Sequence, residues 1–228
     1  MVESIKNAAE SALAGGESVV CFDFGNQKYW AKRFTGSKAK YLNEIKCLRA
    51  FFHEGAPVPP LVFESDAFFV TTDYGVALES CIRASDDATP LLETAMIAVA
   101  EMHKKGLAHG GLHMRNMTLD AAKKIGFLDL EKGSVRPATM EAQAYDLVVF
   151  VWSTISIDLS ASGSLLAAKN AYVQAHGPAW GAAEKWCHQR RWMRTASKPL
   201  QWHEAKYKAN SKYKRYAAVP LVLDFFEL

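Results

Sequence analysis

The sequence predicts an α+β protein of two lobes, a small antiparallel sheet with one helix over residues 1–75 and a larger, mainly helical part over 76–228. Three observations carry this. Runs of β-branched and aromatic residues separated by turn formers fill the first 75 positions. From Thr89 onward the apolar residues recur at helical spacing. Finally, 228 residues, half of them apolar, suffice to bury a sizeable core, and no repeat or Gly/Ser linker divides them.

In order along the chain, residues 4–14 are weakly helical and end at Gly15-Gly16. Segments 18–24 (SVVCFDF) and 28–34 (KYWAKRF) flank Gly25-Asn26-Gln27 and predict a hairpin. Residues 38–52 (KAKYLNEIKCLRAFF) have helical periodicity, which places Tyr41, Ile45, Leu48 and Phe52 on one face. Pro57, Pro59 and Pro60 break the chain before two strand-like runs at 61–63 and 68–72, and Gly75 marks a turn. A helix then starts near Thr89, with Pro90 in its first turn, and stops at Gly106. Residues 125–128 read as an apolar strand and 143–157 as a helix, and helix-prone pieces fill the rest.

The N-terminal 17 residues carry three acids and no apolar core of signal-peptide length, and the longest apolar run falls short of the roughly 20 residues of a membrane span. A cytoplasmic protein is expected. Cys21, Cys47, Cys81 and Cys187 are scattered, with no C-x-x-C pair, so reduced packing cysteines are expected. The net charge of +3 conceals an asymmetry: residues 185–216 carry +9 and the remainder −6. Trp186, Trp192, Trp202, Tyr207, Tyr213 and Tyr216 interleave with those cations. Such a segment suits a polyanion, whether glycolipid, membrane surface or nucleic acid; a solvated helical face with inward aromatics is the other reading.

Residues 107–131, LAHGGLHMRNMTLDAAKKIGFLDLE, hold most of the chemistry. Asn116 lies in the loop after the long helix, and Asp129 ends the next strand. Together they offer a divalent ion two hard oxygen ligands. A carboxylate directly after four apolar residues has little structural reason to be there. Upstream, Lys32 ends Trp30-Ala31-Lys32 on a strand, and Glu44 is the only acid in the helix that follows.

These residues resemble the protein-kinase pattern. His109 and Asn116 fill the first and last places of H-R-D-x-x-x-x-N, Asp129 matches the Asp of D-F-G, and Trp30-Ala31-Lys32 resembles V-A-I-K. The resemblance implies a two-lobed protein-kinase-like fold with ATP between the lobes. Lys32, oriented by Glu44, would meet its phosphates, and Asn116 and Asp129 would hold Mg2+. His109 would prop the loop. His113 would contact substrate or phosphate, or cap the loop. Asp146 would brace the loop backbone, or supply charge near a helix start. Ala14-Gly15-Gly16-Glu17-Ser18 is a weak match to a glycine-rich phosphate loop and equally a helix end. One departure stands out: Gly111 occupies the place of the catalytic Asp. Glycine also permits backbone angles that Asp disfavours.

More narrowly, H-G-x-L-H-x-x-N, then Leu128-Asp129-Leu130-Glu131-Lys132, Arg136 and Asp146-Leu147, resemble the bacterial lipopolysaccharide kinase (Kdo/WaaP) family over residues 18–160. This implies a Kdo or heptose sugar of the core glycolipid as acceptor, phosphorylated at the cytoplasmic face of the inner membrane. Segment 185–216 would then meet the anionic glycolipid, with peripheral contact to anionic membrane, in preference to RNA. With Gly111 in place of the base, His113 and Glu131 are the substitutes at hand. The alternatives are a pseudokinase that binds nucleotide as a regulatory ligand, and an atypical, RNA-associated protein kinase.

Overall fold

The computed structural model describes residues 2–158, 161–197 and 211–227. Strands β1 (Val19–Phe24), β2 (Gln27–Arg33), β3 (Leu61–Glu64) and β4 (Phe68–Thr72) form an antiparallel sheet in the order β1-β2-β4-β3. Its period-2 alternation separates two faces. Tyr29, Ala31, Phe68 and Val70 pack under helix α1 (Val2–Leu13) against Ile5, Ala9 and Leu13. Trp30, Lys32, Phe69 and Thr71, with Val19 beside Lys32, face the other way and line a cleft. Gly15 and Gly16 close α1, the Gly16 amide donating to the Leu13 carbonyl at 3.1 Å, so this pair is a helix end. Neither glycine lines the cleft.

Helix α2 (Lys38–His53) buries Tyr41, Glu44, Ile45, Cys47, Leu48 and Phe51. The expected apolar face is corrected in its last turn: Phe51 is fully buried and Phe52 is 58% exposed. The helix turns its Glu44–Cys47–Phe51 side inward, because it packs on the sheet and also on the loops beyond it. That rotation carries Phe52 out to solvent.

A second, three-stranded antiparallel sheet joins β5 (Val76–Ala77), β6 (Met117–Leu119) and β7 (Ile125–Phe127) in that order. The helical body comprises α3 (Leu78–Arg83), α4 (Thr89–Lys104), α5 (Met140–Ile157), α6 (Ser162–His176), α7 (Pro178–Gln189) and α8 (Ser211–Glu227). Pro90 sits in the first turn of α4, where its missing N–H costs nothing. Thr139 caps α5 by accepting the Ala142 amide at 3.1 Å. Helix α5 is buried almost all round through Leu147, Phe150, Val151 and Ile155, and it forms the spine against which α7 and α8 pack. Among the described residues, no helix is long and apolar enough to cross a membrane. A small antiparallel sheet with one helix on its inner side, followed by a helical body, is the two-lobed protein-kinase-like order.

Candidate active site

Strand β2 projects Lys32 into the cleft, where its Nζ lies 2.8 Å from the Glu44 carboxylate and 2.7 Å from Asp129 Oδ1. Burial works against the charge of Lys32, but Glu44 and Asp129 outweigh it and hold the ammonium above the ordinary lysine value. For Asp129 too, burial is opposed by the hydrogen bond and charge of Lys32, which leave it below the usual carboxylate range. Glu44 is 4% exposed, and desolvation pushes it up by more than Lys32 pulls it down. One cation thus serves two carboxylates. Asp129 is held at φ 60°, a left-handed conformation uncommon for a non-glycine residue.

The 109–116 loop is pinned from behind. Asp146 on α5, fully buried, accepts the His109 amide at 2.6 Å and the Gly110 amide at 2.8 Å. It is held in turn by His103 Nε2 at 3.3 Å, and His103 Nδ1 meets the Tyr172 hydroxyl at 2.7 Å. Asp146 therefore does brace the loop backbone. At the loop's other end, Ser153 Oγ accepts the Met114 amide at 2.9 Å, and Asn116 Nδ2 donates to the Gly111 carbonyl at 2.9 Å. The Leu128 amide donates to the Asn116 carbonyl at 2.8 Å, tying the loop to the strand that delivers Asp129.

His109 is completely buried, its ring edge-on to Phe127 at 6.1 Å. Neither ring nitrogen makes a hydrogen bond of ordinary geometry, and burial holds its pKa below the usual histidine value. It packs, as expected of a residue that props the loop. His113 lies edge-on to Trp152 at 5.5 Å and does not line the cleft.

Gly110 and Gly111 differ sharply. Gly110 has φ +77°, and a Cβ there would collide with the Lys132 carbonyl. Gly111 lies outside the left-handed region, and a Cβ on it would meet nothing within 4 Å. The loop has therefore not relaxed into a glycine-only shape at position 111. Gly126 is required by contact, since a Cβ there would strike the Tyr74 ring, which also lines the cleft.

The cleft has a volume of about 430 Å³, within the range of small-ligand sites. Val19, Leu48, Pro59, Phe69, Ala77 and Leu128 make one part of it apolar. Lys32, Arg115, Asn116 and Asp129 make the other part polar. That division fits a ligand with a flat apolar moiety and an anionic tail. No cluster of three or more His, Cys, Asp or Glu side chains able to hold a metal occurs among the described residues. A divalent ion on Asp129 and Asn116 would therefore complete its shell with phosphate oxygens and water, which is how Mg2+ is usually held beside nucleotides. The residues present fit such an ion.

The structure brings Lys32, Glu44, Asn116 and Asp129 together, with Gly111 joined to Asn116 by a hydrogen bond. Sequence reasoning missed Asn43, whose Nδ2 donates to the carbonyls of Glu131 and Gly133, both at 3.1 Å. It also missed His103, Tyr74 and Arg115. Nothing local in the sequence signals Asn43, because its partners lie some 90 positions away. Of the basic segment, residues 198–210 and the side chains of 211–217 lie outside the described residues. In the part described, Arg190 stacks on Trp186 at 3.9 Å and Trp192 is 65% exposed. Arg194 is already paired with Asp224 and Glu227.

Residues 83–164 match the lipopolysaccharide kinase (Kdo/WaaP) family. An uncharacterized protein of Haemophilus influenzae is 30% identical over 133 residues, 52% of this chain. The chain spans about half (54%) of that relative's length. Among solved structures, the bifunctional kinase-methyltransferase WbdD aligns with a TM-score of 0.44 and 19% identity, over 62% of this chain and 36% of its own. The residues that match this family, 83–164, include the braced 109–116 loop and Asp129.

Proposed function

We propose that the chain is an ATP-dependent phosphotransferase that acts on a Kdo or heptose sugar of the lipopolysaccharide core. The observation that carries this is the placement of Lys32 between Glu44 and Asp129, in a cleft that Asn116 also enters. Lobes 1–75 and 76–228 would close on the nucleotide from either side. Lys32 would meet its phosphates, oriented by Glu44 from behind. Asp129 and Asn116 would hold Mg2+, which supplies charge neutralisation on the phosphate oxygens. Asp146, through the His109 and Gly110 amides, would fix the loop past which the acceptor hydroxyl must approach. Phosphoryl transfer depends mainly on positioning and charge stabilisation, so a site without a carboxylate base can retain turnover. The basic, aromatic segment 185–216 would receive the anionic glycolipid at the inner-membrane face, with Arg190, Arg191 and the exposed Trp192 among its described residues.

A second reading rests on Gly111. Among the described residues nothing lies within 4 Å of where its side chain would begin, so no described neighbour fills the place of the base. That favours a nucleotide-binding regulatory protein. Purified protein with Mg-ATP, assayed for ADP release with and without core glycolipid, separates the two. Glycolipid-stimulated turnover that disappears in Asp129→Ala supports the enzyme. Mg-ATP binding with no turnover on any core acceptor supports the regulatory reading.

A further inference from the structure

Lys32 and Arg115 are the two cations among the described residues lining the cleft. They are in opposite states. Lys32 is engaged by Glu44 and Asp129 at hydrogen-bond distance. Arg115 is exposed, and no hydrogen bond or ion pair among the described residues engages it. Its charge acts on Asp129 only at longer range. Its backbone, however, is fixed. It is the middle residue of the Met114–Asn116 3-10 turn, between a fully buried Met114 and an Asn116 that is 8% exposed. Ser153 holds the Met114 amide, and the Asn116 side chain is tied to Gly111. The turn therefore presents a guanidinium from a rigid base at the polar end of the cleft, on the loop that carries Gly111.

We propose that Arg115 is an anion-binding residue for the acceptor, taking a carboxylate or phosphate on the sugar that receives the phosphoryl group. This rests on the phosphotransferase reading. A guanidinium presents a planar fork of donors that matches the two oxygens of such a group. Because Lys32 already has two carboxylate partners, Arg115 is, among the described residues, the cleft cation with unspent donors. An acceptor anion seated on it would place the sugar beside Gly111, where the open space lies. The oxygens of the nucleotide's last phosphate share this chemistry, and the test separates the two sources.

The experiment is calorimetric titration of wild type, Arg115→Gln and Arg115→Lys with three probes: Mg-ATP, inorganic phosphate, and free Kdo compared with its uncharged methyl ester. The last two are titrated with and without Mg-ADP. Wild type is expected to bind Kdo or inorganic phosphate, and to prefer the Kdo acid to the ester by about 10–100-fold, the strength of a charge-assisted pair. Arg115→Gln should lose that preference, Arg115→Lys should keep part of it, and Mg-ATP affinity should change less than threefold in both. A large loss of Mg-ATP affinity with Kdo binding intact would move Arg115 to the nucleotide and overturn the acceptor assignment. Equal binding of both anions by wild type and Arg115→Gln, or no binding of either by wild type, would also overturn it. Absence of Mg-ATP binding by wild type is the separate result that removes the phosphotransferase reading itself. Because Arg115 is exposed, unchanged thermal midpoints of the variants serve as the folding control.

Discussion

Two adjacent glycines have opposite tolerances, and this makes the missing base open to test. Gly111→Asp would place its Cβ in open space on an ordinary backbone conformation, so the variant should fold with an unchanged thermal midpoint. If a base is all the site lacks, kcat should rise by roughly 10–10⁴-fold, the usual worth of general-base catalysis, with Mg-ATP affinity unaltered. Gly110→Ala, one position earlier, should cost at least about 2 kcal/mol in urea denaturation, since it meets the Lys132 backbone and holds a left-handed φ. A Gly111→Asp variant that binds Mg-ATP normally yet gains no rate would indicate that acceptor binding has also been lost. His109 supports a prediction about acid. Buried and held below the ordinary histidine value, it stays neutral in the native state, while the unfolded chain takes up a proton as pH falls through about 6.5. The unfolded state then binds more protons, so folding stability should decline as pH drops below that value. Denaturation midpoints between pH 7.5 and 5 should show the decline, and His109→Phe should flatten it. His176, lowered mainly by burial, contributes in the same direction and leaves a residual slope.

Among the elements, α2 joins the sheet to the segment that carries Asp129. Glu44 reaches Lys32, while Asn43 donates to the carbonyls of Glu131 and Gly133. Removing the Asn43 amide leaves two part-buried carbonyls without that donor. Asn43→Ala should therefore cost about 1–2 kcal/mol of stability and weaken Mg-ATP binding, because the segment after Asp129 loses its tether. An unchanged nucleotide affinity would show that the Lys32 pair alone sets the position of α2. This scale also shows what could be read from the sequence. The hairpin, α2, α4 and α5 were legible because each repeats its apolar period over several turns or alternations. Strand β5 and helix α3, two and six residues long, are too short to show a period. The inward side of α2 was misassigned by one residue at Phe51 and Phe52, since periodicity gives a stripe and only the packing partners fix its centre. Lys32, Asn116 and Asp129 were legible from residue types in a known spacing, whereas Asn43 and Arg115 acquire meaning only once distant segments meet.

At the scale of the whole molecule, the cleft is lined from both the four-stranded sheet and the loops of the helical body, with Lys32 and Thr71 on one side and Asn116 and Asp129 on the other. A ligand that binds there in the native state, and not in the unfolded chain, stabilises the fold by mass action. At a concentration one hundred times Kd, the gain is about 2.7 kcal/mol. For a chain of this length, each kcal/mol moves the thermal midpoint by about 2–4 °C, so saturating Mg-ATP should raise it by about 5–10 °C. The metal part of that rise depends on Asp129. In wild type, replacing Mg2+ with a chelator should remove most of the shift. In Asp129→Ala the shift should be small, and the same with and without Mg2+. Asp129→Ala also removes one of the two carboxylates on Lys32, so its own midpoint without ligand must serve as the baseline. Lys32→Met tests the other side of the cleft, and it should reduce the shift while keeping whatever metal dependence remains. A wild-type protein whose midpoint responds to no nucleotide, with or without Mg2+, would remove nucleotide binding from this cleft. The Lys32–Glu44–Asp129 group would then stand as a part-buried ion network that joins the sheet to the helical body.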